Sequence, residues 1–87
     1  MTVVDAISRF HQAWPPACGL LPGDSVEVQA QRDFYAQRRD EALERLFQAI
    51  EVAVANPGQD WSAELERVSY ESELEAHRVM RAVMAVR

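Results

Sequence analysis

The feature that most constrains this chain is a break between two long amphipathic segments, at residues 56–60 (Asn-Pro-Gly-Gln-Asp). Proline and glycine end helices and form turns. The segments on either side, 25–56 and 61–87, carry apolar residues at spacings of three and four, which is helical periodicity. The sequence therefore predicts an all-α fold dominated by a long antiparallel helical hairpin, with residues 57–60 as its turn.

A short helix is predicted at 3–13, ahead of the hairpin. Thr2, followed three residues later by Asp5, is typical of a helix-capping box. Four large apolar residues share one face of this helix: Val3, Ile7, Phe10 and Trp14. A helix of this length is not stable alone, so we expect it to pack on the hairpin in a single three-helix domain, 1–87.

The connector at 15–24 holds three of the four prolines and two of the three glycines. Its Leu20-Leu21 pair is unusually apolar for a loop, and we expect it to tuck against the bundle; the alternative is insertion into a partner. Asp24 with Glu27 predicts a capping box at the start of the long helix. That helix exceeds the average length of about a dozen residues, which leaves room for a break or kink near 37–40.

The C-terminal helix has the most regular periodicity, and Asp60 or Ser62 is expected to cap it. Its apolar stripe comprises Trp61, Leu65, Val68, Ser72, Ala76, Val79, Val83 and Val86. A flanking row is expected to widen the apolar face: Tyr70, Leu74, Met80 and Met84.

Antiparallel pairing about the turn brings together residues whose numbers sum to roughly 117. The strongly apolar stretch 79–83 then faces the less apolar stretch 34–38. This end of the hairpin, the open end opposite the turn, therefore needs cover from helix 3–13 or from another chain. We predict partner binding there, through Phe34, Arg38, Val79, Met80, Arg81, Val83 and Met84.

Charge and residue usage exclude several classes of function. The net charge is −5, which argues against nucleic-acid binding, and all nine basic residues are arginine. Without lysine there is no P-loop and no Schiff-base lysine. Glu41 with Arg45 and Glu75 with Arg78 are expected to form ordinary helix-face pairs.

Nothing in the sequence indicates catalysis, a metal or a cofactor. Cys18 is the single cysteine, so it forms no disulfide within the chain. His11 and His77 lack metal-ligand spacing. The N-terminus lacks a signal-peptide pattern, and no apolar run approaches the roughly 20 residues of a membrane span. We expect a cytoplasmic, non-enzymatic protein with no cofactor and no membrane contact.

The second half of the chain, from about Glu41 to Arg87, resembles the small helical proteins of bacterial type III secretion. Ala55-Asn56-Pro57 followed by Ala63-Glu64-Leu65-Glu66 is similar to the helix–turn–helix of needle and inner-rod subunits, and the short hairpin co-chaperones share this size and layout. The chain departs from the needle pattern in its Trp14-Pro15-Pro16 helix stop. The resemblance therefore implies a co-chaperone or adaptor role.

Three hypotheses remain open. The first is an adaptor or co-chaperone that binds a protein partner through the open end of the hairpin. The second is an immunity-type inhibitor that blocks a target enzyme through acids around Asp60, Glu64 and Glu71. The third is a self-associating structural subunit, with a second copy of the chain as its partner in a homodimer.

Overall fold

The computed structural model describes residues 1–17, 21 and 23–85. Across these ranges the chain folds into α1 (Val3–Ala13), α2 (Val26–Ala55) and α3 (Ser62–Ala85). α2 packs against α3, and α1 also packs against α3. The molecule is elongated, with extents of 51 × 17 × 15 Å. The predicted all-α fold, a long hairpin with a short N-terminal helix packed on it, is confirmed.

The N-termini of α1 and α2 are capped by side chains. Thr2 Oγ1 accepts from the Asp5 N–H at 3.1 Å while the Asp5 carboxylate accepts from the Thr2 N–H, so the predicted box is present. At α2 the cap is Ser25, whose hydroxyl accepts from the Val28 N–H at 3.2 Å. The predicted box that starts at residue 24 is wrong, because the helix begins one residue later.

The turn is held by Asn56. Its side-chain amide donates to the Val52 carbonyl at 2.8 Å, and its own carbonyl accepts from the Gln59 N–H and the Trp61 indole N–H. The Asp60 carboxylate accepts from the Ser62 N–H at 3.0 Å. Asp60, rather than Ser62, therefore supplies the predicted cap at the start of α3.

α2 passes through residues 37–40 without interruption, so the helix does not break there. This stretch contains neither proline nor glycine, and one of its residues is fixed to the rest of the molecule. Arg39 Nε donates to the Trp14 carbonyl at 3.0 Å, where a cation also complements the negative end of α1.

The core lies where the three helices meet. Its buried residues are Ala6, Phe10, Trp14, Leu21, Tyr35, Ala42, Leu46, Ala76, Val79 and Val83. The rings of Trp14 and Tyr35 lie 5.6 Å apart, centroid to centroid. α1 and the residues after it therefore cover the open end of the hairpin, which was one of the two predicted ways of covering it.

Side chains of α2 hold the connector. The Tyr35 hydroxyl donates to the Pro15 carbonyl, and Arg32 Nε donates to the Leu21 carbonyl at 2.8 Å. Leu21 is 1% exposed, so its predicted tucking is confirmed. Leu20, Cys18 and the last two residues of the predicted C-terminal helix, 86–87, lie outside the described residues.

Contacts between α2 and α3 agree with the predicted register. Gln31 Nε2 donates to the Val83 carbonyl at 3.1 Å, and Arg45 pairs with Glu75. The predicted pairs of Glu41 with Arg45 and of Glu75 with Arg78 are therefore wrong. Glu41 instead lies 3.5 Å from Arg38, because Arg45 reaches across to the facing helix.

Candidate protein-docking groove

The structure divides the seven residues predicted to bind a partner. Val79 and Val83 are each only 6% exposed and belong to the core. Met80 is partly buried against that core. The prediction that Val79 and Val83 are accessible to a partner is therefore wrong, because both lie in the core that α1 and Leu21 complete. Phe34 at 41% and Met84 at 46% are exposed, as are Arg38 and Arg81.

The exposed members of that set do not form one surface. Phe34 and Arg38 lie in a groove between α2 and α3, together with the edge of Val79. Met80 instead lines a smaller depression of about 350 Å³, beside α1 residues that include Arg9. In the described part of the chain, Arg81 and Met84 line neither concavity. The flanking row predicted to widen the apolar face mostly points outward: Tyr70 is 55% exposed.

The groove is the larger concavity, with a volume of about 910 Å³. Its lining comes from α2, α3 and Trp61, so it follows the face of the hairpin that α1 leaves open. Most of the residues that line it form two rows with spacings of three and four. The rows are Phe34, Arg38, Ala42, Arg45, Ala49 and Val52 on α2, and Glu64, Val68, Glu71, Glu75, Val79 and Ala82 on α3, and the lining residues beside them are Gln48, Arg67, Ser72 and Arg78.

The floor of the groove consists of small side chains, chiefly Ala42, Ala49 and Ser72. Ser72 Oγ accepts a hydrogen bond from the indole nitrogen of Trp14 at 3.0 Å, so the residue that anchors α1 also forms part of this floor. Small residues let a helix backbone approach closely, as in tightly packed helical bundles. The floor is therefore suited to a helix.

Apolar side chains lie at both ends of the groove. Towards the turn, Val52 is 47% exposed beside Trp61 and Val68. Towards the open end, Phe34 is stacked by Arg38, whose guanidinium carbon lies 5.4 Å from the ring centroid. A partner would find an apolar contact at each end and charged groups between them.

The two rims of the groove carry opposite charge. On α2 the charged groups are Arg38 and Arg45. On α3 they are Glu64, Glu71 and Glu75 together with Arg67 and Arg78, which leaves that rim net acidic. Arg67 pairs with Glu64 and Glu71. The hydrogen bond from Arg67 holds the pKa of Glu64 below its usual range.

One ion pair joins the rims: Arg45 on α2 with Glu75 on α3. The Arg45 side chain is 57% exposed and that of Glu75 is 27% exposed. Exposed pairs of this kind contribute little to stability. Arg45 and Glu75 can therefore separate and pair with charged groups of an incoming molecule at a small cost in stability.

α1 covers only part of the hairpin. Met1 lies against Ser69, where the Ser69 hydroxyl is 3.5 Å from the Met1 sulfur, and the end of α1 lies beside Met80. The stretch between Ser69 and the turn is therefore only two helices thick, and Phe47 there is 44% exposed. α1 therefore covers the open end, where the sequence predicted that cover was needed, and leaves the turn end less covered.

Neither family models, nor curated proteins, nor solved structures show a match to this chain. Among the residues described, none of the helices has the length and apolar content that crossing a bilayer requires. Within the same residues, no group of three or more His, Cys, Asp or Glu side chains is placed to hold a metal ion.

Proposed function

We propose that this protein is a non-enzymatic interaction module, an adaptor or co-chaperone, that binds an amphipathic helix of a protein partner in the groove between α2 and α3. The observation that carries the proposal is the groove itself: small residues on its floor, apolar groups at its ends and charged rims. Helix-in-groove recognition uses this combination, with apolar anchors for affinity and charges for orientation.

The rims indicate the chemistry of the partner helix. The α2 rim presents Arg38 and Arg45, whereas the α3 rim is net acidic, with Glu64, Glu71 and Glu75 against Arg67 and Arg78. A helix with acidic residues along one flank and basic residues along the other matches both rims in a single orientation. Its apolar face would rest on Ala42, Ala49 and the two apolar ends.

The inhibitor hypothesis receives less support from the acids on which it rests. Asp60 caps α3 through its hydrogen bond from Ser62. Glu64 and Glu71 are both paired with Arg67. Asp60 is therefore engaged in holding the start of α3, and Arg67 offsets part of the charge of Glu64 and Glu71, so this surface is less acidic than the three carboxylates alone would make it.

Site-specific photocrosslinking in the native cells tests the proposal. A photoreactive amino acid at Ala49 or Ala82, both in the groove, should give one discrete adduct with a different protein. The same probe at Tyr70 or Ala30, which are exposed outside the groove, should not. An equal adduct at the control positions, or no heterologous adduct at all, would overturn the proposal.

A blocking variant provides the second arm. Ala49→Glu places a long charged side chain over the groove floor and should abolish the adduct formed from position 82. Ala30→Glu makes the same change on an exposed position of the same helix and should leave that adduct intact. Circular dichroism melting of both variants establishes that the helices remain folded; a folded Ala49→Glu protein that still forms the adduct contradicts the proposal.

A further inference from the structure

We infer that, in the isolated protein, a second copy of the chain closes this groove, forming a dimer with its two-fold axis parallel to the helices. The inference rests on the proposed function only in taking the groove as the docking surface. A partner helix would then bind by displacing the second copy.

Two face-to-face arrangements keep the helices of the two copies aligned. If the two-fold axis runs parallel to the helices, α2 of each copy lies over α3 of the other copy, and these two helices are antiparallel. Each residue keeps its height along the axis, so a residue of α2 meets the same level of α3 in the other copy as it does within its own chain. If the axis runs across the helices, α2 lies over α2 and α3 over α3. Both are isologous, with one surface patch used twice.

Charge selects the first arrangement. Arg38 and Arg45 lie on the α2 rim, and the α3 rim is net acidic, with Glu64, Glu71 and Glu75 against Arg67 and Arg78. With the axis parallel to the helices, Arg45 of each copy comes to the level of the partner subunit's Glu75, because these residues already pair within one chain. With the axis across the helices, the two arginines of the α2 rim would instead face the α2 rim of the other copy, which places like charges together and is unfavourable.

The apolar groups agree with the same arrangement. From the register of α2 on α3, Val52 comes to the level of the partner subunit's Val68, and Phe34 to that of the partner subunit's Ala82. The small Ala42 and Ala49 allow the two hairpins to approach closely. The product is a four-helix bundle of α2 and α3 from both copies, with α1 outside it on each side.

The size of the chain gives a reason for such pairing. A domain of 87 residues buries a modest share of its surface, and small domains often gain stability by association. Val52 and Phe34, which are 47% and 41% exposed in the single chain, would be covered in the dimer.

Light scattering of the purified full chain measures the oligomeric mass directly. The wild-type protein should approach twice the chain mass of 9.9 kDa as its concentration rises. Ala49→Glu should give the monomer mass, whereas Ala30→Glu should remain dimeric. A wild-type protein that is monomeric throughout, or a dimer that Ala49→Glu leaves unchanged, overturns the inference.

A charge exchange distinguishes pairing between copies from pairing within one chain. Arg45→Glu and Glu75→Arg should each raise the dimer dissociation constant, by about tenfold, because each places like charges together. An equal mixture of the two variants should recover a heterodimer, since the carboxylate introduced at position 45 of one copy then faces the guanidinium introduced at position 75 of the other. If both variants dissociate and the mixture does not recover, the arrangement is wrong.

The two proposals fail separately. A monomeric protein whose groove crosslinks to a different protein in cells would remove the dimer and leave the proposed function standing. A groove-dependent dimer with no heterologous crosslink would support the dimer and remove the proposed function.

Discussion

The indole nitrogen of Trp14 donates a hydrogen bond to Ser72 Oγ at 3.0 Å, and both residues are buried. Trp14 follows α1 directly and Ser72 lies within α3, so this bond joins elements that are distant in the sequence. The same indole lies 6.3 Å from Phe10 and 5.6 Å from Tyr35, measured between ring centroids. Trp14 therefore fastens the end of α1 across the open end of the hairpin.

Trp14→Phe should lower the free energy of unfolding by about 1–3 kcal/mol, because it leaves the buried Ser72 hydroxyl without its donor. The double variant, Trp14→Phe with Ser72→Ala, should lose less stability than the sum of the losses in the two single variants. Urea unfolding measures each value. Trp61→Phe is the matched control: its indole bonds to Asn56 at the exposed turn, so its effect should be smaller. Additive losses would show that the Trp14–Ser72 bond contributes nothing.

Val79→Ala should destabilise the protein by about 2 kcal/mol, since it removes two methyl groups from a buried side chain. Met84→Ala alters a side chain that is 46% exposed and should change stability by no more than about 0.5 kcal/mol. Thermal or urea unfolding compares them. Equal, small effects would mean that Val79 is accessible to a partner rather than part of the core.

The stability of the fold should fall at high pH because of Tyr35. Burial raises the pKa of its phenol above the ordinary value of 10.0, against a smaller opposing effect of Arg39. A raised pKa in the folded state gives stability that is complete below pH 10 and is lost as the pH rises through the folded value. Tyr35→Phe should flatten this alkaline limb of the melting-temperature profile. Tyr70→Phe, at a residue that is 55% exposed, should leave it unchanged.

At low pH the cap of α1 should weaken. Hydrogen bonds with Thr2 hold the pKa of Asp5 below its ordinary value of 3.8. A lowered pKa in the folded state gives stability that is present above pH 3.8 and is lost as the pH falls through the folded value. Asp5→Asn should therefore destabilise the protein at neutral pH and progressively less in acid.

Thr2→Ala provides the comparison for that acid effect. It removes the hydroxyl that accepts from the Asp5 N–H, at a cost of about 0.5–2 kcal/mol. The hydroxyl does not titrate, so the loss of its hydrogen bond lowers stability at every pH. Thr2→Ala should therefore remain destabilising in acid, where Asp5→Asn is not. Melting temperatures from pH 2 to 7 compare the two; parallel curves would contradict the assignment of the acid effect to Asp5.

Local sequence signals were sufficient for the helices and the hairpin. Asn56-Pro57-Gly58 ends α2, Asp60 caps α3, and Thr2 with Asp5 caps α1, each through contacts among near neighbours in the chain. The covering of the open end depended instead on contacts between distant residues. Periodicity showed that Phe10 and Trp14 share a face, but not which part of the hairpin that face would meet.

The groove was missed for a different reason. Its stripe on α2 has helical spacing, yet it is built from alanine and arginine as well as the larger Phe34 and Val52. A search for large apolar residues does not register Ala42 or Ala49, although their small size is what forms the concavity. The spacing of three and four, read without regard to side-chain size, was the signal that could have indicated it.

The 51 Å length of the molecule against a width of 17 Å has a hydrodynamic consequence. A single chain should experience more friction than a sphere of the same mass and elute early in gel filtration. Association side by side through the groove would widen the particle without lengthening it, so the frictional ratio would fall. Association end to end would lengthen the particle and raise the frictional ratio. Sedimentation velocity therefore reports which surface two copies share from particle shape alone, with no substitution in the chain.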